Sequence, residues 1–113
     1  MAVPRTKLVS VPTRRAPVKE ATLTLKGDYA GWTCRVRTNP RFGVFDDLSS
    51  GDFPRIGAAL AHICREWDFV DEDGEPLRQP SDGGVADLTS DLMAELMARF
   101  VEHVNAAADL PKA

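Results

Sequence analysis

Apolar and polar residues alternate in two short segments of the first third of the chain. Residues 20–26 and 32–37 each place an apolar side chain at every second position, which is the period of a strand with one buried face. Between them, residues 27–31 supply the glycines of a turn. The apolar members are Ala21, Leu23, Leu25, Trp32, Cys34 and Val36. This pattern predicts a β-hairpin that needs a cover, because two strands alone are marginal in water.

The period changes to that of a helix over residues 53–67. Asp52 can cap this helix, and Pro54 suits its first turn. One face, an arc of roughly 100°, collects the apolar side chains. These are Phe53, Ile56, Leu60, Ile63, Cys64 and Trp67, whereas Arg55, His62, Arg65 and Glu66 face away. We therefore expect a helix that lies with one side on the hairpin.

A second helix is predicted over residues 88–107, and its apolar face is unusually wide. The face covers about 180° of the helix, although roughly 100° is enough to sit on a core. Its residues are Leu92, Met93, Leu96, Met97, Phe100, Val101 and Val104. Two explanations remain open: the excess width binds a partner, to which the methionines would adapt, or a small domain buries this helix deeply.

Two loops are predicted between these elements. Residues 39–51 contain Pro40, Gly43 and Gly51 and read as a loop. Its apolar residues would form a short third strand or fill the core; they are Phe42, Val44, Phe45 and Leu48. Residues 78–87, with one proline and two glycines, read as a second loop.

The segment 67–77 is acidic and resembles a calcium loop at first sight. With Gly74 at the sixth position of an EF-hand, the first position falls on Phe69 and the twelfth on Pro80, where an Asp and a Glu are required. Asp73-Gly74 is instead a strong tight-turn signal. We expect Trp67 and Phe69 to anchor this turn to the core and Pro76 to follow it.

The predicted fold class is a small α+β domain. A β-hairpin, with a third strand as an option, is packed by two helices within residues 20–107. Residues 1–19, which contain three prolines, are expected to form a flexible basic arm, and residues 108–113 a short tail. A chain of 113 residues suits one such domain.

Charge is distributed unevenly along the chain, although the total is only −3. Residues 1–20 carry five basic side chains against one carboxylate, whereas residues 65–91 carry nine carboxylates against two arginines. Phosphate contacts by the arm with Arg35 and Arg37 are conceivable. The acidic segment would repel nucleic acid, however, and an acidic protein partner suits these charges equally well.

Candidate chemistry is sparse. Neither histidine belongs to a metal-binding spacing, and no phosphate-binding glycine loop occurs. Cys34 and Cys64 fall on apolar faces, where thiols are usually inert. We therefore predict no enzyme activity, no metal and no cofactor. Two cysteines and no apolar run of roughly 18 residues also favour a soluble protein of a reducing cytoplasm.

The order of these elements resembles the tail assembly chaperones of long-tailed (siphovirus-like) bacteriophages, particularly those of actinobacteria. The resemblance is carried by Trp67-Asp68-Phe69, by the acidic Gly74-Glu75-Pro76-Leu77 turn and by the closing helix from Leu88 to Val104. It departs from the family at Arg78 and at Leu88-Thr89, where relatives often have proline.

The resemblance implies a non-catalytic protein of the host cytoplasm that is absent from the mature virion. Members of that family bind the tape measure protein and the major tail tube protein, and many also exist in a longer, frameshifted form that could be a further partner. Two alternatives remain: a structural virion protein, such as a minor tail or head–tail completion protein, and a small nucleic-acid-binding regulator.

Overall fold

The computed structural model describes residues 14–108, which form a three-stranded antiparallel sheet and three α-helices. The strands lie in the order β1-β2-β3, with β1 at Glu20–Thr24, β2 at Thr33–Arg37 and β3 at Cys64–Trp67. The helices are α1 at Phe42–Leu48, α2 at Phe53–Ile63 and α3 at Ser90–Ala108. The α+β class is thereby confirmed. Residues 1–13 of the predicted arm and residues 109–113 of the predicted tail lie outside the described part.

The predicted hairpin is present in the expected register. Leu23 faces Cys34 across the two strands, and the backbone N–H of Leu25 donates to the carbonyl of Trp32 at 2.8 Å. Between the strands, Gly27–Tyr29 forms a 3-10 turn, and Gly31 leaves it with a φ of 90°. Glycine adopts this left-handed conformation without a steric penalty, so the turn sequence permits the reversal.

The predicted helix over residues 53–67 is wrong in its last four residues. The helix ends at Ile63, and Cys64–Trp67 pair with β2 as the third strand. Cys64 lies opposite Val36 and Trp67 opposite Cys34, so two residues of β3 fit where β2 has only Arg35. This β-bulge lets two residues that are three apart both point inward, a spacing that also fits a helix.

The predicted loop over residues 39–51 contains a helix instead. In α1, Phe45 and Leu48 are three residues apart and therefore share the face that meets the core. Phe42 begins the same helix and stays 82% exposed. The third strand expected here lies at β3, and three helices rather than two pack the sheet.

The core lies between the inner face of the sheet and the helices. Helix α3 contributes Leu92, Leu96 and Phe100, and the ring of Phe100 stacks on Phe45 at a centroid distance of 6.0 Å. Trp67 and Phe69 are both buried and stack at 4.8 Å, which confirms their predicted role as anchors. Within residues 14–108 no helix is long and apolar enough to cross a membrane.

Candidate protein-binding surface

Helix α3 carries the residues that the sequence indicates for partner binding, and it begins with a capped turn. Thr89 precedes the helix, and its Oγ1 accepts a hydrogen bond from the backbone N–H of Leu92 at 3.3 Å. The same hydroxyl donates to Oδ1 of Asp91 at 2.7 Å, and this bond holds the pKa of Asp91 below its usual value. The helix therefore starts two residues later than predicted, at Ser90.

The predicted binding face of α3 divides into three layers by burial. Leu92, Leu96 and Phe100 are buried in the core. Met93, Met97 and Val104 are half-buried and pack against that core, whereas Val101 is 43% exposed. The two explanations for the wide face are thus both partly correct: three residues are core, and the remaining four form an edge that other molecules can reach.

An apolar groove of about 510 Å³ lies at the N-terminal end of this edge. We call it the upper groove, and it runs between the start of α2 and the segment that leads into α3. It is lined by Phe53, Pro54, Gly57, Ala58, Gly83, Val85, Ala86, Leu88, Ser90 and Met93. Phe53 was predicted to face inward, but it lies on the first turn of α2 and is 72% exposed.

A second groove, of about 250 Å³, lies at the C-terminal end of the same edge. This lower groove is lined by Phe42, Phe45, Val101, Val104 and Asn105. The rings of Phe42 and Phe45 are 6.5 Å apart, and Phe45 in turn stacks on Phe100. A row of three aromatic rings therefore extends from the core to solvent, with Phe42 outermost.

The two grooves are related by the helical spacing of α3. Met93 lines the upper groove, Val101 and Val104 line the lower one, and Met97 lies one turn from both Met93 and Val101. Residues spaced four apart lie on one face of a helix, so these side chains form a stripe between the grooves. We call the stripe and both grooves the apolar edge.

Sequence reasoning missed Phe42 and Phe53 as members of this surface. Gly43 and Gly51 in the surrounding segment concealed the helical spacing of α1 and with it the outward position of Phe42. For Phe53, the position just before Pro54 at a helix start was an available signal, because first-turn side chains often lie beyond the packed part of a helix.

The acidic segment after β3 forms the predicted tight turn. Val70 bridges to Pro76, and the backbone N–H of Gly74, at a φ of 81°, donates to the carbonyl of Asp71 at 3.0 Å. Oδ1 of Asp71 accepts from the backbone N–H groups of Asp73 and Glu75 at 2.8 and 2.9 Å. In residues 14–108, no group of three or more His, Cys, Asp or Glu side chains is arranged to hold a metal ion.

Both cysteines are buried free thiols. A hydrogen bond with Cys64, together with burial, raises the pKa of Cys34 far above its usual value. The thiol of Cys34 therefore stays protonated at neutral pH, and a protonated thiol is a poor nucleophile.

The arginines on the outer face of the sheet are engaged within the domain. Arg35 contacts Glu20 at 2.6 Å and Glu66 at 2.7 Å, and Arg65 contacts Glu20 at 3.2 Å. The hydrogen bond with Glu66 and the one with Glu20 raise the pKa of Arg35. A phosphate would have to compete with these carboxylates, which weakens the case for nucleic-acid binding through Arg35.

Comparisons of this chain with known protein families, with curated proteins and with solved structures find no match.

Proposed function

We propose that this chain is a non-catalytic protein-binding domain whose working surface is the apolar edge. The observation that carries the proposal is the exposure of Phe42 and Phe53 on either side of a half-buried stripe of α3. Scattered exposed apolar residues are ordinary, but aromatic side chains that line neighbouring grooves are typical of interaction sites.

The shape of the surface favours a helical partner. An amphipathic helix docks in an apolar groove through side chains at positions i, i+3, i+4 and i+7. Two grooves joined by a stripe offer such a helix two anchor points. Met93 and Met97 line the path between them, and unbranched methionine side chains adapt to different partner sequences.

Combined with the resemblance of residues 67–77 and of the closing helix, this surface supports a more specific proposal. The chain is a tail assembly chaperone of a long-tailed bacteriophage, and it binds the tape measure protein and the tail tube protein in the host cytoplasm. Its task is to keep apolar helical segments of the tape measure protein soluble until the tail tube assembles, so it does not remain in the virion.

Co-expression tests this proposal. The tape measure protein encoded in the same genome should become more soluble when it is made together with this chain, and the two should purify together. A variant with both Phe42→Ser and Val101→Ser is the matched control, since it folds but lacks the apolar contact. No gain in solubility with the native chain would contradict the proposal.

Mass spectrometry of purified virions separates the chaperone from a structural virion protein. The proposal predicts that the chain is abundant in infected cells and absent from virions. A constant number of copies in each virion would instead support the structural alternative.

A further inference from the structure

A cavity of about 350 Å³ lies between the β1–β2 turn, the acidic turn and the start of α3, apart from the apolar edge. Its walls combine aromatic rings, aliphatic side chains and carboxylates. The lining residues are Tyr29, Trp32, Val70, Asp71, Glu72, Leu77, Asp87, Thr89 and Leu92.

The aromatic wall of this cavity is held in place from behind. Trp32 meets Tyr29 edge-on at a centroid distance of 5.1 Å, and Trp32 also contacts the buried ring of Phe69 at 5.8 Å. Phe69 is itself stacked on Trp67. A tryptophan and a tyrosine in a fixed arrangement attract a cation through the negative faces of their rings.

The carboxylates in the wall are not equally satisfied. Asp87 is bound by Arg78, with N–O distances of 2.8 and 3.0 Å, so its charge is compensated. Neither Asp71 nor Glu72 makes an ion pair with any residue between 14 and 108. Two negative charges without a counter-ion beside two aromatic rings are the features that bind an ammonium or guanidinium group.

The chain carries suitable cations in its first residues. Arg5 and Lys7 precede Pro17, whose carbonyl accepts a hydrogen bond from Nδ2 of Asn39 at 2.9 Å. Asn39 also accepts from the backbone N–H of Lys19, so the chain is attached to the sheet at this point. We propose that the cavity binds the side chain of Arg5 or Lys7 of the same molecule.

The reach of the chain permits this contact. The cavity lies at the far end of the hairpin, about 20 Å from Lys19 along seven residues of extended chain. Arg5 is twelve residues before Pro17, which spans up to about 40 Å, whereas Arg14 is three residues before it and spans only about 10 Å. Arg5 and Lys7 can therefore reach the cavity, and Arg14 and Arg15 cannot.

The indole N–H signal of Trp32 in the nuclear magnetic resonance spectrum of the intact chain tests the proposal. Changing Arg5 and Lys7 together to Gln should shift this signal. The same change at Arg14 and Arg15 removes an equal charge and should leave it in place. Equal effects of the two double variants, or no effect of either, would overturn the proposal.

A second measurement uses N-acetyl-arginine amide as the probe. The probe should bind the variant with Gln at positions 5 and 7 at least about threefold more tightly than the native chain, because the competing side chains are gone. Equal affinity for both chains would mean that the cavity takes its cation from another molecule and would contradict the assignment to the arm. Replacing Asp71 with Asn should weaken binding of the probe to the variant, and replacing Asp73, in the same turn but outside the cavity, should not.

Dilution separates a contact within one molecule from a contact between copies. The difference in the Trp32 signal between the native chain and the variant at positions 5 and 7 should stay constant over a twentyfold dilution. A difference that disappears on dilution would show that the arm of one copy enters the cavity of another.

Discussion

The side chain of Gln79 makes both hydrogen bonds to Trp67 that a neighbouring strand would make. Its Oε1 accepts from the backbone N–H of Trp67 at 3.0 Å, and its Nε2 donates to the carbonyl of Trp67 at 2.9 Å. The indole N–H of Trp67 donates to the carbonyl of Arg78 at 2.9 Å. One side-chain amide thus closes the outer edge of β3, and unpaired edge strands otherwise invite aggregation.

Replacing Gln79 with Ala should lower the free energy of unfolding by about 1–3 kcal/mol. The change leaves two backbone groups of the buried Trp67 without partners, and that is the usual cost of such groups. Urea unfolding, followed by the fluorescence of the tryptophans, measures the effect. Ser81→Ala is the matched control, since Ser81 is exposed on the same segment. A difference under about 0.5 kcal/mol between the two variants would show that the Gln79 bonds contribute little.

Alanine should act in opposite directions at two glycines. Gly74 has a φ of 81°, where a side chain costs about 1–2 kcal/mol, so Gly74→Ala should destabilise the domain. Gly57 lies inside α2 with open space around it, and Gly57→Ala should stabilise the domain by about 0.5–1 kcal/mol. Thermal unfolding measures both variants. Changes of the same sign would contradict this assignment of the two backbone conformations.

The ion pair between Arg78 and Asp87 should make stability depend on pH. The hydrogen bond from Arg78 lowers the pKa of Asp87 in the folded state. Its contribution is therefore fully present above the unfolded pKa of about 3.9 and is lost as the pH falls through the folded pKa. The native chain should unfold at higher urea concentration than Asp87→Asn at pH 7, and the difference should close in acid. Asp82→Asn, on the same loop, should show no such trend.

Replacing Met93 and Met97 together with Lys should impair both folding and partner binding. The two side chains are half-buried against the core, so their replacement removes packing as well as a binding contact. We expect a loss of about 2–4 kcal/mol on urea unfolding, within the range of large core truncations. Val101→Lys, on the exposed part of the same helix, should stay within about 0.5 kcal/mol of the native chain. Equal stability of both variants would place the methionines outside the core.

The amino-acid sequence predicts the parts of this fold whose signal is local. The hairpin follows from strict alternation, and the turn at Gly74 follows from its own residues. The closing helix follows from a long 3.6-residue period. These features do not depend on what the rest of the chain does, which explains why their register or position was predictable.

The parts that were mispredicted depend on contacts between distant residues. Cys64 and Trp67 fit the apolar face of a helix equally well, and pairing with β2 together with the bulge decides in favour of a strand. Helix α1 is seven residues long and is marginal by itself, so its packing through Phe45 on Phe100 determines it. Misplacing α1 also concealed the lower groove, because Phe42 joins the binding surface only once that helix is present.

The central claim is that the apolar edge binds the tape measure protein, and the affinity of three variants tests it most directly. Isothermal titration with a soluble helical fragment of that protein should show binding by the native chain. Phe42→Ser combined with Val101→Ser should weaken this binding at least about tenfold, as expected for an interface anchor. Val18→Ser removes a valine that is also 54% exposed but lies outside both grooves, and it should bind like the native chain. Equal affinity of all three chains, or no binding by the native chain, would contradict the claim.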